Sequence, residues 1–94
     1  MTDTPDDPVR YPINGILDLH EFSPRDVSVL IPEYIDACLS EGITEIRIIQ
    51  GKGTGALRQT VHALLDKNPH VVRYRLDGQS ASSWGATLVS LRTY

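Results

Sequence analysis

Two short stretches carry side chains able to do chemistry. The first is Asp18 and His20, set two residues apart in the run Ile16-Leu17-Asp18-Leu19-His20. Strand side chains alternate, so Asp18 and His20 share one face while Leu17 and Leu19 share the other. An ionised carboxylate on such a strand needs a partner or a route to water. A histidine beside it can take or give a proton near neutral pH, and the carboxylate can fix its tautomer. Alternatively the carboxylate could hold a divalent metal such as Mg or Mn; either arrangement suits phosphodiester hydrolysis. Two candidate ligands are too few to make a metal site by count. The plainer alternative is structural, with Asp18 satisfying backbone N–H groups of the neighbouring loop and His20 closing a strand.

The second stretch is Gly51-Lys52-Gly53-Thr54-Gly55, which follows an apolar strand and opens a helix. Glycines permit positive φ and close approach of the backbone. The N–H groups and dipole of a first helical turn favour an anion there. Lys52 in the loop and Arg58 one turn into the helix can reach the same anion, and Thr54 adds a hydroxyl. The spacing is neither a Walker A loop nor a dinucleotide fingerprint. By spacing alone, a tight turn that binds nothing fits equally well.

The elements that must position these groups are legible from the apolar periodicity. Ile16 to His20 forms a first strand. Ser23 as cap, Pro24 in the first helical position and Asp26 three after the cap start a helix. Its buried stripe is Val27, Leu30, Ile31, Tyr34, Ile35, Cys38 and Leu39. Gly42 ends it, and Pro32 inside the stripe should kink or restart it. Glu45 to Ile49 is a second strand. A second helix buries Leu57, Val61, Leu64 and Leu65 and stops at Asn68-Pro69. Val71 to Leu76 alternates as a third strand, with Val72, Tyr74 and Leu76 on one face and Arg73 and Arg75 on the other. Asp77 to Gly85 is a polar loop, and Ala86 to Leu91 is a fourth strand. The order β-α-β-α-β-β predicts an α/β fold, a two-layer α/β sandwich with both helices on one face of a mixed sheet. The βαβ steps favour parallel crossovers, and the last two strands pair antiparallel. His62 lies one turn beyond Arg58, beside the loop or in solvent. His70 sits at a helix-to-strand junction facing water, and Cys38 reads as core. Trp84 either stacks on a base or caps the sheet edge.

Composition narrows the function classes. The chain has 94 residues, enough for one domain, with 40% hydrophobic and 22% charged residues. Residues 1–11 hold Asp3, Asp6, Asp7 and two prolines ahead of Pro12, without apolar periodicity. They read as a flexible tail before a single domain over 12–94. The net charge is −3, from twelve acidic and nine basic residues. Setting aside the tail's three aspartates and Arg10 leaves nine acids and eight bases, a balance of −1. A broad basic footprint is absent, so contact with nucleic acid must be local and of modest affinity. The single cysteine excludes an intrachain disulfide. No segment resembles a signal peptide or a bilayer span. A cytoplasmic monomer without membrane association is the default expectation.

Leu17-Asp18-Leu19-His20 resembles the first signature, LDLHG, of the Smr (small MutS-related) family. Gly51 to Arg58, read GKGTGALR, resembles the second, the HGKGTG-x-LR segment containing the HGxG motif. Trp84-Gly85-Ala86-Thr87-Leu88-Val89 is similar to the family's closing strand. The resemblance covers residues 15–92. It implies an α/β sandwich similar to the C-terminal domain of translation initiation factor three. It also implies DNA or RNA binding and, in several members, endonuclease activity that nicks DNA or cuts RNA. The family occurs at the C-terminus of MutS-like proteins and as stand-alone bacterial chains. The expectation here is a stand-alone domain, because no ATPase region fits in this length. By this resemblance Asp18 and His20 would do the chemistry with Gln50 positioning, while Gly51, Lys52, Gly53, Thr54, Gly55 and Arg58 hold phosphate. Two positions depart from the motifs. Glu21 stands where the first signature has glycine, and Gln50 stands where the second has histidine. Glutamine can hydrogen-bond but cannot titrate. Weak cleavage is therefore the first expectation, and a non-catalytic nucleic-acid-binding or protein-interaction module the alternative.

Overall fold

The computed structural model describes residues 12–19, 22–51, 55–77 and 85–93. The tail over 1–11, His20, Lys52, Gly53, Thr54 and Trp84 lie outside the described residues.

Strand β1 (Ile16–Asp18) leads to helix α1 (Pro24–Ser40), and its start follows the sequence signals. The Ser23 hydroxyl accepts from the Asp26 N–H at 3.3 Å, and Pro24 occupies the first turn, where no N–H is needed. The helix ends in a Schellman motif. Gly42, at φ +78°, donates its N–H to the Leu39 carbonyl, and Ile43 donates to Cys38 at 2.8 Å. Pro32 does not restart the helix, which runs unbroken from Pro24 to Ser40. The carbonyl that loses its partner belongs to Ser28, which is exposed, so water can satisfy it.

Strand β2 (Glu45–Ile49) pairs parallel with β1 in the register Ile16–Arg47, Leu17–Ile48 and Asp18–Ile49. Helix α2 (Ala56–Lys67), strand β3 (Val71–Leu76) and strand β4 (Ala86–Leu91) complete the order β-α-β-α-β-β. The spatial order is β1-β2-β4-β3, with β4 antiparallel to both neighbours, so the sheet is mixed. The two helices pack against each other over one face. Leu17, Leu19, Ile46, Ile48, Val89 and Leu91 of the sheet segments meet Val27, Ile31, Tyr34, Ile35, Val61 and Leu65 of the helices in a single core. Cys38 is fully buried there, and burial pushes its thiol up. Among the described residues no helix is long and apolar enough to cross a membrane.

One strand departs from simple alternation. Val71 pairs with Leu91 and Arg73 with Ser90, so Val72 is an extra residue at a bulge. Val71 therefore packs on the core with Tyr74, and Val72 is exposed, which corrects the expectation that Val72 shares a face with Tyr74.

Tyr34 ties β1 to α1. Its hydroxyl accepts from the Gly15 N–H at 3.0 Å and donates to the Ile16 carbonyl at 3.2 Å. Tyr34→Phe strips the buried Gly15 N–H of its acceptor, and is expected to cost about 1–3 kcal/mol. Urea denaturation of the two proteins checks this.

Candidate functional site

The parallel pair brings the two motif strands to one end of the sheet. Asp18 pairs with Ile49, and the Leu19 N–H donates to the Ile49 carbonyl at 2.9 Å. Gln50 and Gly51 thus leave β2 directly beside the end of β1. Ligands of α/β sheets commonly sit outside the carboxyl ends of parallel strands. The glycine loop begins under restraint, because the N–H groups of Gln50 and Gly51 both donate to the Gly85 carbonyl, at 2.9 and 2.8 Å.

The loop's far end is Gly55, the N-cap of α2, with φ +91° and no side-chain cap. A Cβ there would lie 3.2 Å from Nη2 of Arg58. Gly55 thus supplies both the left-handed turn and the room for Arg58 to fold back over the first turn of its helix. The guanidinium and the positive end of the helix dipole share one location.

Asp18 and Gln50 are brought to the same end but onto opposite faces. Leu17 and Leu19 are buried and Asp18 is exposed, as the alternation predicts. Gln50 continues the inward phase of Ile46 and Ile48, and only 6% of it is exposed. Asp18 therefore lies on the face that the helices leave uncovered, and the Gln50 side chain on the helix side. The uncovered face also carries Arg47, Arg73 and Arg75. Arg47 donates to the carboxylate of Asp77, whose side chain is 5% exposed. With Asn14, Tyr74 and Leu88 these arginines line a shallow cleft, to which neither Gln50 nor α2 contributes.

The helix side holds a hydrogen-bonded line that the sequence did not reveal. The Thr87 hydroxyl donates to Oε1 of Gln50 at 2.8 Å, and Nε2 of His62 lies 2.9 Å from the same hydroxyl oxygen. A hydroxyl has one hydrogen. With that hydrogen on Gln50, His62 must donate through Nε2–H. Thr87 is fully buried on β4, and His62 packs its ring on Tyr74 with centroids 4.7 Å apart. Tyr74 in turn donates to Asp66 at 2.6 Å, which raises its phenol pKa. Nε2 of Gln50 is buried with no hydrogen-bond partner. An orphaned buried donor costs about 1–3 kcal/mol, which a protein seldom tolerates without use. The available signal was Thr87, a polar residue in the same inward phase as Val89 and Leu91. His62 is half-buried, with Nε2 turned to Thr87 of the sheet. His70 is likewise half-buried, with Nε2 3.9 Å from Asp36.

Burial, reinforced by the charge of Arg58 and opposed by Asp66, lowers the His62 pKa. The folded state therefore resists protonation more than the unfolded chain. Stability from this group is complete above the ordinary histidine range near 6.5 and declines as pH falls through that range towards the lower folded value. Denaturation midpoints measured from pH 7.5 to 5 should fall, and the fall should be smaller in His62→Gln.

The described residues include no group of three or more His, Cys, Asp or Glu side chains gathered to hold a metal ion.

Comparison with known proteins is consistent with this geometry. Residues 17–92 match the family model described as Smr domain. The chain is similar to "Endonuclease MutS2" of Halothermothrix orenii, with 43% identity over 63 residues, covering 67% of this chain and 8% of that protein. It is also similar to "Endonuclease MutS2" of Halalkalibacterium halodurans, with 40% identity over 76 residues, 81% of this chain and 10% of that protein. The chain thus spans about a tenth of the length of these relatives. Among solved structures, the Smr domain of Thermus thermophilus MutS2 superposes with a TM-score of 0.77 at 25% identity, covering 84% of this chain and 99% of that one. YdaL, a stand-alone small MutS-related protein from Escherichia coli, gives a TM-score of 0.77 at 24% identity over 90% of this chain and 70% of that one, a likeness of fold.

Proposed function

The chain belongs to the Smr domain family, and from that premise we propose that it binds DNA or RNA through backbone phosphate at the head of α2 and nicks the phosphodiester backbone there, weakly. The observation that carries this reading is the shared strand end, where the register Asp18–Ile49 brings Asp18 to the end of the sheet from which Gln50 and Gly51 lead towards Gly55 and Arg58 at the head of α2. Gly51, whose own N–H is held by the Gly85 carbonyl, opens the loop, and the backbone of Lys52, Gly53, Thr54 and Gly55 with the cations Lys52 and Arg58 holds a phosphate. Asp18 and His20 supply the proton chemistry, and Gln50 positions without titrating. The relatives named as endonucleases support the assignment to phosphodiester chemistry.

Binding without cleavage is a second reading, favoured by Gln50 in the place of the motif histidine and by the sheet standing between the faces of Gln50 and Asp18.

The phosphate assignment is tested by fluorescence anisotropy with short DNA and RNA oligonucleotides across salt concentrations. Lys52→Glu is expected to weaken binding and to reduce the slope of log affinity against log salt by about one unit. An unchanged affinity at every salt concentration would remove the loop from the interface.

A further inference from the structure

The Gln50 amide is fixed at one end and unused at the other. Oε1 accepts from Thr87, which accepts from His62, so the line runs in one sense from the imidazole to the carbonyl oxygen. Nε2 is left as a buried donor of two hydrogens with no hydrogen-bond partner among the described residues. A donor without an acceptor calls for an oxygen ligand. The neighbourhood asks for an anionic one, because Gln50 leads directly into the loop whose far end carries Arg58 and the positive pole of a twelve-residue helix. An amide free to turn over would present Oε1 to that anion half of the time and repel it.

We infer that Thr87 and His62 are positioning residues that hold Oε1 of Gln50 and so keep its buried Nε2 as the end of the amide free to donate to a non-bridging oxygen of a bound nucleic-acid phosphate. This rests on the reading that the head of α2 takes phosphate. It adds a specific role for a residue that cannot titrate. Gln50 contributes direction rather than charge, so its loss acts equally at all ionic strengths. Lys52, being charged, acts through the salt dependence.

The test combines oligonucleotide binding with side-chain NMR. Thr87→Val keeps the shape of the buried residue and removes the hydroxyl. It is expected to lower affinity about tenfold with the salt slope unchanged. Thr87→Ser, which keeps the hydroxyl, is expected to bind as the wild type. In the wild-type protein, the Gln50 side-chain NH2 resonances should shift on adding oligonucleotide, and the nitrogen shifts of His62 should report the Nε2–H tautomer before and after. The NMR arm stands even where a Thr87 variant fails to fold. If wild-type binding is salt-sensitive and weakened by Lys52→Glu, yet the Gln50 NH2 does not move or His62 carries its proton on Nδ1, the phosphate reading stands and this inference fails. If the wild type binds no oligonucleotide, both fail.

Discussion

With Asp18 and His20 both replaced by alanine, nicking of supercoiled plasmid and of a structured RNA is expected to fall by about 10²–10⁴-fold, the usual contribution of positioned acid–base groups. Oligonucleotide affinity should stay near that of the wild type, because the pair lies outside the glycine loop and the head of α2. Asp18 is exposed at the end of β1, so its removal leaves no cavity and the fold should be kept. The assay is run with and without Mg²⁺ or Mn²⁺ beside the wild type. Residual cleavage equal in both proteins would remove Asp18 and His20 from the chemistry. Gln50→His is the informative companion. A higher rate assigns position 50 to proton transfer, and an unchanged rate leaves the chemistry to the first motif.

Leu65→Ala is expected to have the largest effect on stability, about 2–5 kcal/mol, from lost burial and the cavity left behind. A domain of this size has on the order of 5–10 kcal/mol in hand, so the loss takes about a fifth of it or more. Leu65 is 1% exposed and lies on the inner face of α2, one turn beyond Val61. The same helix presents Arg58 to the loop and His62 to Thr87. A loosened α2 should therefore lose nucleic-acid affinity at temperatures where the rest of the sheet is still folded. Parallel thermal melts followed by circular dichroism and by oligonucleotide anisotropy check this. Coincident transitions at the wild-type midpoint would show that α2 is not held by this contact.

Most of the frame was legible from local chemistry. Ser23-Pro24-Asp26 and Gly42 bracket α1 because caps and left-handed turns are decided within a few residues. The inward stripe of α1 and the pairing of Leu17 with Leu19 follow from periods of 3.6 and 2. Pro32 does not restart α1, because the Ser28 carbonyl that it strands belongs to an exposed residue, which spacing does not reveal. Val72 misled because a bulge is a property of two strands, and the residues opposite it, Ser90 and Leu91, lie far along the chain in β4. The site divides in the same way. Asp18, Gly55 and Arg58 could be picked out by type and spacing. The Gln50–Thr87–His62 line and the Arg47–Asp77 pair could not, since each joins residues 25 or more positions apart. Only the strand order sets them side by side.

That strand order also governs how the molecule comes into being. β4 is the last of the described elements in the chain, yet it is hydrogen-bonded on both sides, to β2 and to β3. Until it is in place, β1 and β2 form a two-stranded ribbon and β3 has no partner in the sheet. The Gly85 carbonyl that holds Gln50 and Gly51 arrives with the same segment, as does Thr87. During synthesis both helices leave the ribosome well before the sheet can close, so their apolar faces must wait for residues 86–91. Folding is therefore a late event governed by long-range pairing. The loop's anchor and the central strand form together, so the end of the sheet that holds Gln50 and Gly51 is built only when the core is complete.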